Sequence, residues 1–223
     1  MTGIELVLLG VAALATAALT AVAGAGGGLI LLIVLLQFVD PLVAIPTHAM
    51  IQLASNGTRA IALRDDVDLG ILRPYVVPLL PAAAVGFAIA DGIPEASLEI
   101  VLGGFALVAV WFKAATQWLA PRPGGGSRFA VVGVVAGVTN PIVGAPGPLL
   151  APAFRAATAD HVGFVATFAV GQVLNHTAKV IVFGIAGYAW GEYLPAVAVG
   201  VAGVIVGTRL GTRWLRRLDP EVL

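Results

Sequence analysis

Two polar stripes interrupt an otherwise apolar chain, and they hold the residues whose type and spacing could do chemistry. His48, Gln52, Ser55, Asn56 and Arg59 lie in one apolar segment; Thr167, Gln172, Asn175, His176 and Lys179 lie in another. From each glutamine the residues just named follow at i+3, i+4 and i+7, which is one face of a helix. The ionisable groups of the stripes are Arg59, Lys179, His48 and His176, with no carboxylate among them. Cations at membrane depth require an anion, a carboxylate partner or water. Amides beside such cations suit an oxyanion, whereas a cation site would call for Asp or Glu. His48 and His176 are the candidates for coupling to protons, because imidazole titrates near neutral pH.

The stripes belong to a longer internal match. Shifted by 120 residues, positions 24–59 pair with 144–179 without a gap, and eight of the 36 pairs are identical. Three of those eight are polar: Asp40 with Asp160, Thr47 with Thr167, and Gln52 with Gln172. Arg59 pairs with Lys179, and Gly24-Ala25-Gly26-Gly27-Gly28 with Gly144-Ala145-Pro146-Gly147-Pro148. Glycine-rich breaks at membrane depth free backbone N–H groups and let an anion approach closely. Polar residues and helix breaks repeated in two halves mark the central site of a transporter. The expected substrate-binding set is therefore Gly26, Gly27, Gly28, Gln52, Asn56, Arg59, Asn140, Gly144, Gly147, Thr167, Gln172, Asn175, His176 and Lys179. Several of these have a plainer reading. Gln52, Ser55, Asn175 and Thr167 would serve equally as polar contacts between helices. Arg59, close to its helix end, could snorkel to the interface, while the deeper Lys179 is expected in a cavity. Asp40 and Asp160 read as helix N-caps, and His161 as interfacial. Pro141 is expected to end its helix, with Asn140 either satisfying freed backbone groups or facing the substrate.

The whole chain must place these residues in a bilayer. Of its 223 residues 59% are hydrophobic and 11% charged, with a mean hydropathy of +1.00; continuous apolar runs then mean a helical membrane protein rather than a barrel. A formal net charge of zero implies no nucleic-acid partner, and the absence of cysteine excludes disulfides and thiolate metal sites. No His, Asp and Glu cluster suggests a metal, and no cofactor is expected. The apolar segments fall at roughly 4–22, 29–38, 42–63, 71–90, 97–119, 129–143, 148–154, 162–185 and 193–215. The first is read as a retained helix and not a signal peptide, since no basic residue precedes it. Segments 29–38 and 148–154 are too short to span about 30 Å of hydrocarbon and are expected to be half-helices that return from 4–22 and 129–143.

Loop charges set an orientation. Arg209, Arg213, Arg216 and Arg217 put the C-terminus in the cytoplasm, with Arg122 and Arg128 around Gly124-Gly125-Gly126 and the loop after Leu63. Loops 91–99 and 184–192, without Lys or Arg, read as external. Helix 42–63 then runs inward and its counterpart 162–185 outward. The expected fold is an all-α integral membrane protein of two inverted-topology repeats, 1–119 and 129–223, joined by a Gly-rich linker at 120–128. Each repeat opens with a broken, re-entrant hairpin. Three full crossings follow the first hairpin and two the second, which leaves a helix face that a second protomer could cover in a homodimer.

At the glycine element after the first helix, the striped helix carrying Thr47 and Gln52, and the repetition of this module, the chain resembles the TauE/SafE family of sulfite exporters and sulfonate permease-like proteins. The resemblance spans about residues 5–215. It implies an inner-membrane transporter of small anions such as sulfite, sulfonates or sulfoacetate-like compounds. The second element departs from the family pattern, with Pro146 and Pro148 where glycines are usual. A secondary carrier is the first reading and a passive anion channel of the same architecture the alternative. An intramembrane enzyme lacks a cysteine nucleophile or carboxylate pair at depth, so no catalytic residue is assigned. A non-transporting membrane subunit would carry costly polar stripes without a use.

Overall fold

A computed structural model describes residues 1–111 and 128–218, which form helices and no strand. The linker read at 120–128, Arg128 apart, and the end of the helix expected over 97–119 lie outside the described residues. The long helices are α1 (Gly3–Ala23), α3 (Pro41–Ala62), α6 (Glu95–Trp111), α7 (Arg128–Val143), α9 (His161–Ile185) and α10 (Leu194–Leu215). The short ones are α2 (Gly27–Leu35), α4 (Leu69–Val76), α5 (Leu79–Asp91) and α8 (Gly147–Ala157), with single 3-10 turns at Arg64–Asp66 and Trp190–Tyr193.

Three stretches, Gly3–Ala23, His161–Ile185 and Trp190–Leu215, are long and apolar enough to cross a bilayer. A fourth is the pair α4 and α5, bent by 49°. The 22-residue α3 is long enough, but its polar stripe dilutes its hydropathy. The segment 71–90, expected as one helix, is thus two. Pro78 lies at the bend; it has no N–H to give and its ring crowds the preceding turn. Pro141 behaves in the opposite way to expectation: α7 runs through it to Val143, and the break falls at Gly144, whose φ is +70°.

The two breaks repeat one another's backbone bonds at the 120-residue offset. Gly24 N–H donates to Thr20 O (2.8 Å) and Gly144 N–H to Asn140 O (2.9 Å). Leu29 N–H donates to Gly26 O (3.1 Å) and Leu149 N–H to Pro146 O (3.0 Å). Gly24 and Gly144 both have positive φ, +85° and +70°, as expected for a glycine that stops a helix. Asp160 caps α9 by accepting from Gly163 N–H at 2.8 Å. Asp40 sits at the same place before α3 but makes no such bond, so its expected capping role is not met through the side chain.

Small residues let the long helices approach. Gly203, Gly207 and Gly211 of α10 lie on successive turns against the backbone of α1 at Gly10, Leu14 and Ala18. Gly133 and Gly137 of α7 meet the backbone at Tyr75 and Leu79 in the same way. Both contacts advance in step along the two helices, so α1 runs parallel to α10 and α7 parallel to α4–α5. Such glycine ridges replace the hydrophobic drive that is absent between helices in lipid.

The helices α3 and α9 cross antiparallel at the centre. Near one end Thr47 Oγ1 lies 3.0 Å from Tyr188 Oη, and near the other Asp68 N–H donates to Thr167 Oγ1 at 2.9 Å. Each helix start is tied to the segment that follows the other helix. In the loop after α9, partial burial pushes the Tyr188 phenol up to about 12, so its hydroxyl keeps its proton through the neutral range. Arg216 Nη2 donates to Ala62 O at 2.7 Å, which brings the ends of α10 and α3 to one face of the bundle. His161 reaches Val22 O at 2.7 Å at that face and is partly buried there.

Candidate functional site

Breaking α1 from α2, and α7 from α8, leaves two new helix starts inside the bundle. The first backbone N–H groups of a helix have no partner within it. Neither α2 nor α8 receives a side-chain cap. The two starts line one cavity of about 30 Å³ through Gly26 and Gly28 on one side and Gly147 and Pro148 on the other. Two uncapped helix N-termini on one cavity form a positive, donor-rich wall. Pro148 removes one donor from the second start.

The stripe of α3 faces this cavity and is bonded in series. Asn56 Nδ2 donates to Gln52 Oε1 at 3.2 Å, and Arg59 Nη2 donates to Asn56 Oδ1. With its oxygen engaged, the Gln52 carboxamide turns Nε2 toward Gly28, where a Cβ would come within 3.1 Å of it. The Gln172 carboxamide occupies the corresponding place beside Gly147, where a Cβ would lie 3.3 Å from Nε2. Both glycines thus leave room for a glutamine amide at the mouth of a helix start.

Arg59 is 1% exposed and lines the cavity. Its Nε and Nη1 have no hydrogen-bond partner. It does not snorkel: the Asn56 bond and packing hold its guanidinium inside. Among the residues whose burial is described no Asp or Glu is buried, and no carboxylate forms an ion pair with Arg59. A buried guanidinium with two unpaired donor nitrogens is complementary to an oxyanion.

His48 and His176 meet across the cavity with ring centroids 5.7 Å apart, edge to face. His48 Nε2 donates to Gly28 O at 2.8 Å, which fixes the tautomer and ties α3 to the first break. The Nδ1 atoms of both histidines are buried without partners.

The remaining expected residues lie elsewhere. Lys179, fully buried, donates from Nζ to Gly144 O at 2.6 Å and is not on the cavity wall. Asn140 donates to Asn175 O at 3.0 Å behind the second break, and the Asn175 carboxamide itself is buried without a partner. Gly27 packs against Thr16 and Thr20 of α1. Thr167 serves the loop at Asp68, as described above. Ser55 Oγ lies 3.2 Å from Thr208 Oγ1 on α10, an interhelical contact. Six lining residues lie outside the expected set: Thr20, Ala25, Leu29, Ala145, Pro148 and Phe168. Thr16 and Thr20, spaced i, i+4 in an apolar helix just before the glycines, were the available signal for the first. Phe168 is the counterpart of His48 at the 120-residue offset, and that unequal pairing was its signal.

A polytopic helical protein whose helix breaks and polar stripes meet at a small internal cavity has the architecture of a membrane transport protein. The chain belongs to the sulfite exporter TauE/SafE family, whose model matches residues 8–223. That family implies a membrane transporter of sulfite or related sulfur compounds. No curated protein and no solved structure matches the chain.

Proposed function

We propose that the chain is a secondary carrier of a small sulfur oxyanion, sulfite or a small organosulfonate, built as two inverted repeats in the plasma membrane with its C-terminus in the cytoplasm. The observation that carries this reading is Arg59: a buried guanidinium with two unpartnered donors, set between two uncapped helix starts and facing no carboxylate. A three-oxygen anion would take the free Nε and Nη1 protons, the Gln52 and Gln172 amides, and backbone N–H groups at Gly28 and Gly147. The cavity has room for about two or three waters, which suits a small headgroup. His48 and His176 stand where a proton could be bound with the anion.

Inversion is supported by the shared backbone bonds of the two breaks and by the antiparallel crossing of α3 and α9. The α1–α10 and α7–α4/α5 pairs make corresponding parallel contacts, each joining a helix of one repeat to a helix of the other. Alternating access in such folds moves one repeat against the other around a fixed site.

Proteoliposomes provide the test. A carrier gives saturable sulfite counterflow, and the Gln52→Ala and Gln172→Ala variants reduce it. A flux that does not saturate and shows no counterflow would assign the chain to a channel. Unchanged counterflow in both glutamine variants would remove the proposed site.

A further inference from the structure

The two repeats hold their corresponding cations differently. Arg59 and Lys179 are partners at the 120-residue offset, as are Gly24 and Gly144. Both glycines end a helix with positive φ and the same backbone bond to the residue four before. Yet Lys179 Nζ is bound to Gly144 O at 2.6 Å, whereas the side chain of Arg59 makes no bond to Gly24, keeps Nε and Nη1 buried and unpaired, and belongs to a residue that lines the cavity. Arg59 lies near the end of α3 and Lys179 well along α9, and these helices run antiparallel. The two cations therefore stand toward opposite faces of the bundle, and the cavity reaches only Arg59.

We propose that Arg59 and Lys179 are alternating anion ligands: one binds the anion while the other is sheathed on the glycine carbonyl of its own helix break, and the two exchange places when access changes sides. Inverted repeats make this exchange geometrically available, since the opposite state is reached when each repeat adopts the other's conformation. In this structure the second repeat is sheathed and the first is open. In the opposite state Lys179 leaves Gly144 O for the anion, and Arg59 turns to Gly24 O. A cation is never left bare on the closed side, where an unpaired buried charge is costly. This inference rests on the carrier reading above.

Two measurements test it. The first is KM for a small alkanesulfonate measured from each face of oriented proteoliposomes. Arg59→Gln raises KM by about tenfold or more at the face where α3 ends and leaves it within about twofold at the other; Lys179→Gln does the reverse. A Lys179→Gln variant that changes both faces equally, or changes neither, overturns the exchange. The second needs no Lys179 variant. The chain has two lysines, Lys113 and Lys179, so Lys113→Arg protein carries a single lysine side-chain nitrogen signal. In Arg59→Met, Lys113→Arg protein, saturating alkanesulfonate shifts that signal from its carbonyl-bound position. A signal that stays put while the anion is bound overturns the proposal. Wild-type protein without any saturable anion flux would instead remove the carrier reading.

Discussion

Replacing Arg59 by Met separates a binding role from a structural one, because the two predict opposite signs. Without anion the buried guanidinium satisfies one bond, to Asn56, and leaves two donors unpaired. A well-packed apolar side chain in place of a buried charge is commonly neutral or stabilising by about 1–4 kcal/mol. Against this stands the Asn56 oxygen left without its donor, which costs about 1–3 kcal/mol. Unliganded Arg59→Met protein should therefore unfold at or near the wild-type temperature. Binding behaves differently. Each charged hydrogen bond contributes about 1.5–3 kcal/mol, so losing two from the bound anion costs at least about 3 kcal/mol, roughly a hundredfold in Kd. The assay is calorimetric titration of sulfite, paired with thermal unfolding with and without it. At a hundred times Kd the anion stabilises wild type by about 2.7 kcal/mol, and the variant should lose this increment. Arg59→Lys, which keeps the charge but not the planar fork, should fall between. Arg59→Met protein that is much less stable than wild type, yet binds sulfite with unchanged Kd, would make Arg59 a structural clamp and not an anion ligand.

Three further outcomes follow from the packing. Gly207→Val would drive a side chain into the Leu14 backbone; it should cost about 1–3 kcal/mol or more and lower the unfolding temperature and membrane yield. Gly26→Ala meets no atom within 4 Å but sits at φ +102°, so its cost of about 1–3 kcal/mol is backbone strain alone, read as reduced stability, with Gly3→Ala, equally open but without positive φ, as the control that shows a smaller effect. Thr167→Val removes the acceptor of Asp68 N–H; it should lose about 1 kcal/mol of stability and leave KM unchanged, and a raised KM would place Thr167 back at the anion.

Much of the helical layout was readable because membrane helices declare themselves by length and hydropathy. The glycine breaks were readable because few other residues accept the positive φ found at Gly24, Gly26 and Gly144. The family resemblance carried by these elements is borne out by the match over residues 8–223. What the sequence hid were choices between partners. Arg59 and Lys179 occupy matching positions in matching helices, yet one faces a cavity and the other a carbonyl. Nothing in their spacing distinguishes these fates, because they are set by which atoms of other helices pack against each side chain. Thr167 and Thr47 likewise look like members of the stripes, but each lies about a turn and a half before its glutamine and meets a loop from across the helix crossing. The bend between α4 and α5 had a local cause in Pro78. It was masked by the unbroken hydrophobicity of 71–90, since lipid-facing composition does not record whether the helix axis is straight. Pro141 misled in the other direction, because a proline in the last turn of α7 removes one bond without ending the helix.

The carrier reading requires an anion against Arg59, between the two helix starts. A structure determined with selenite, an oxyanion of sulfite's shape whose selenium scatters anomalously, tests it most directly. An anomalous peak within hydrogen-bonding reach of Arg59 Nε and Nη1 and flanked by the Gln52 and Gln172 amides is the predicted result. An empty cavity with the anion bound elsewhere would contradict it.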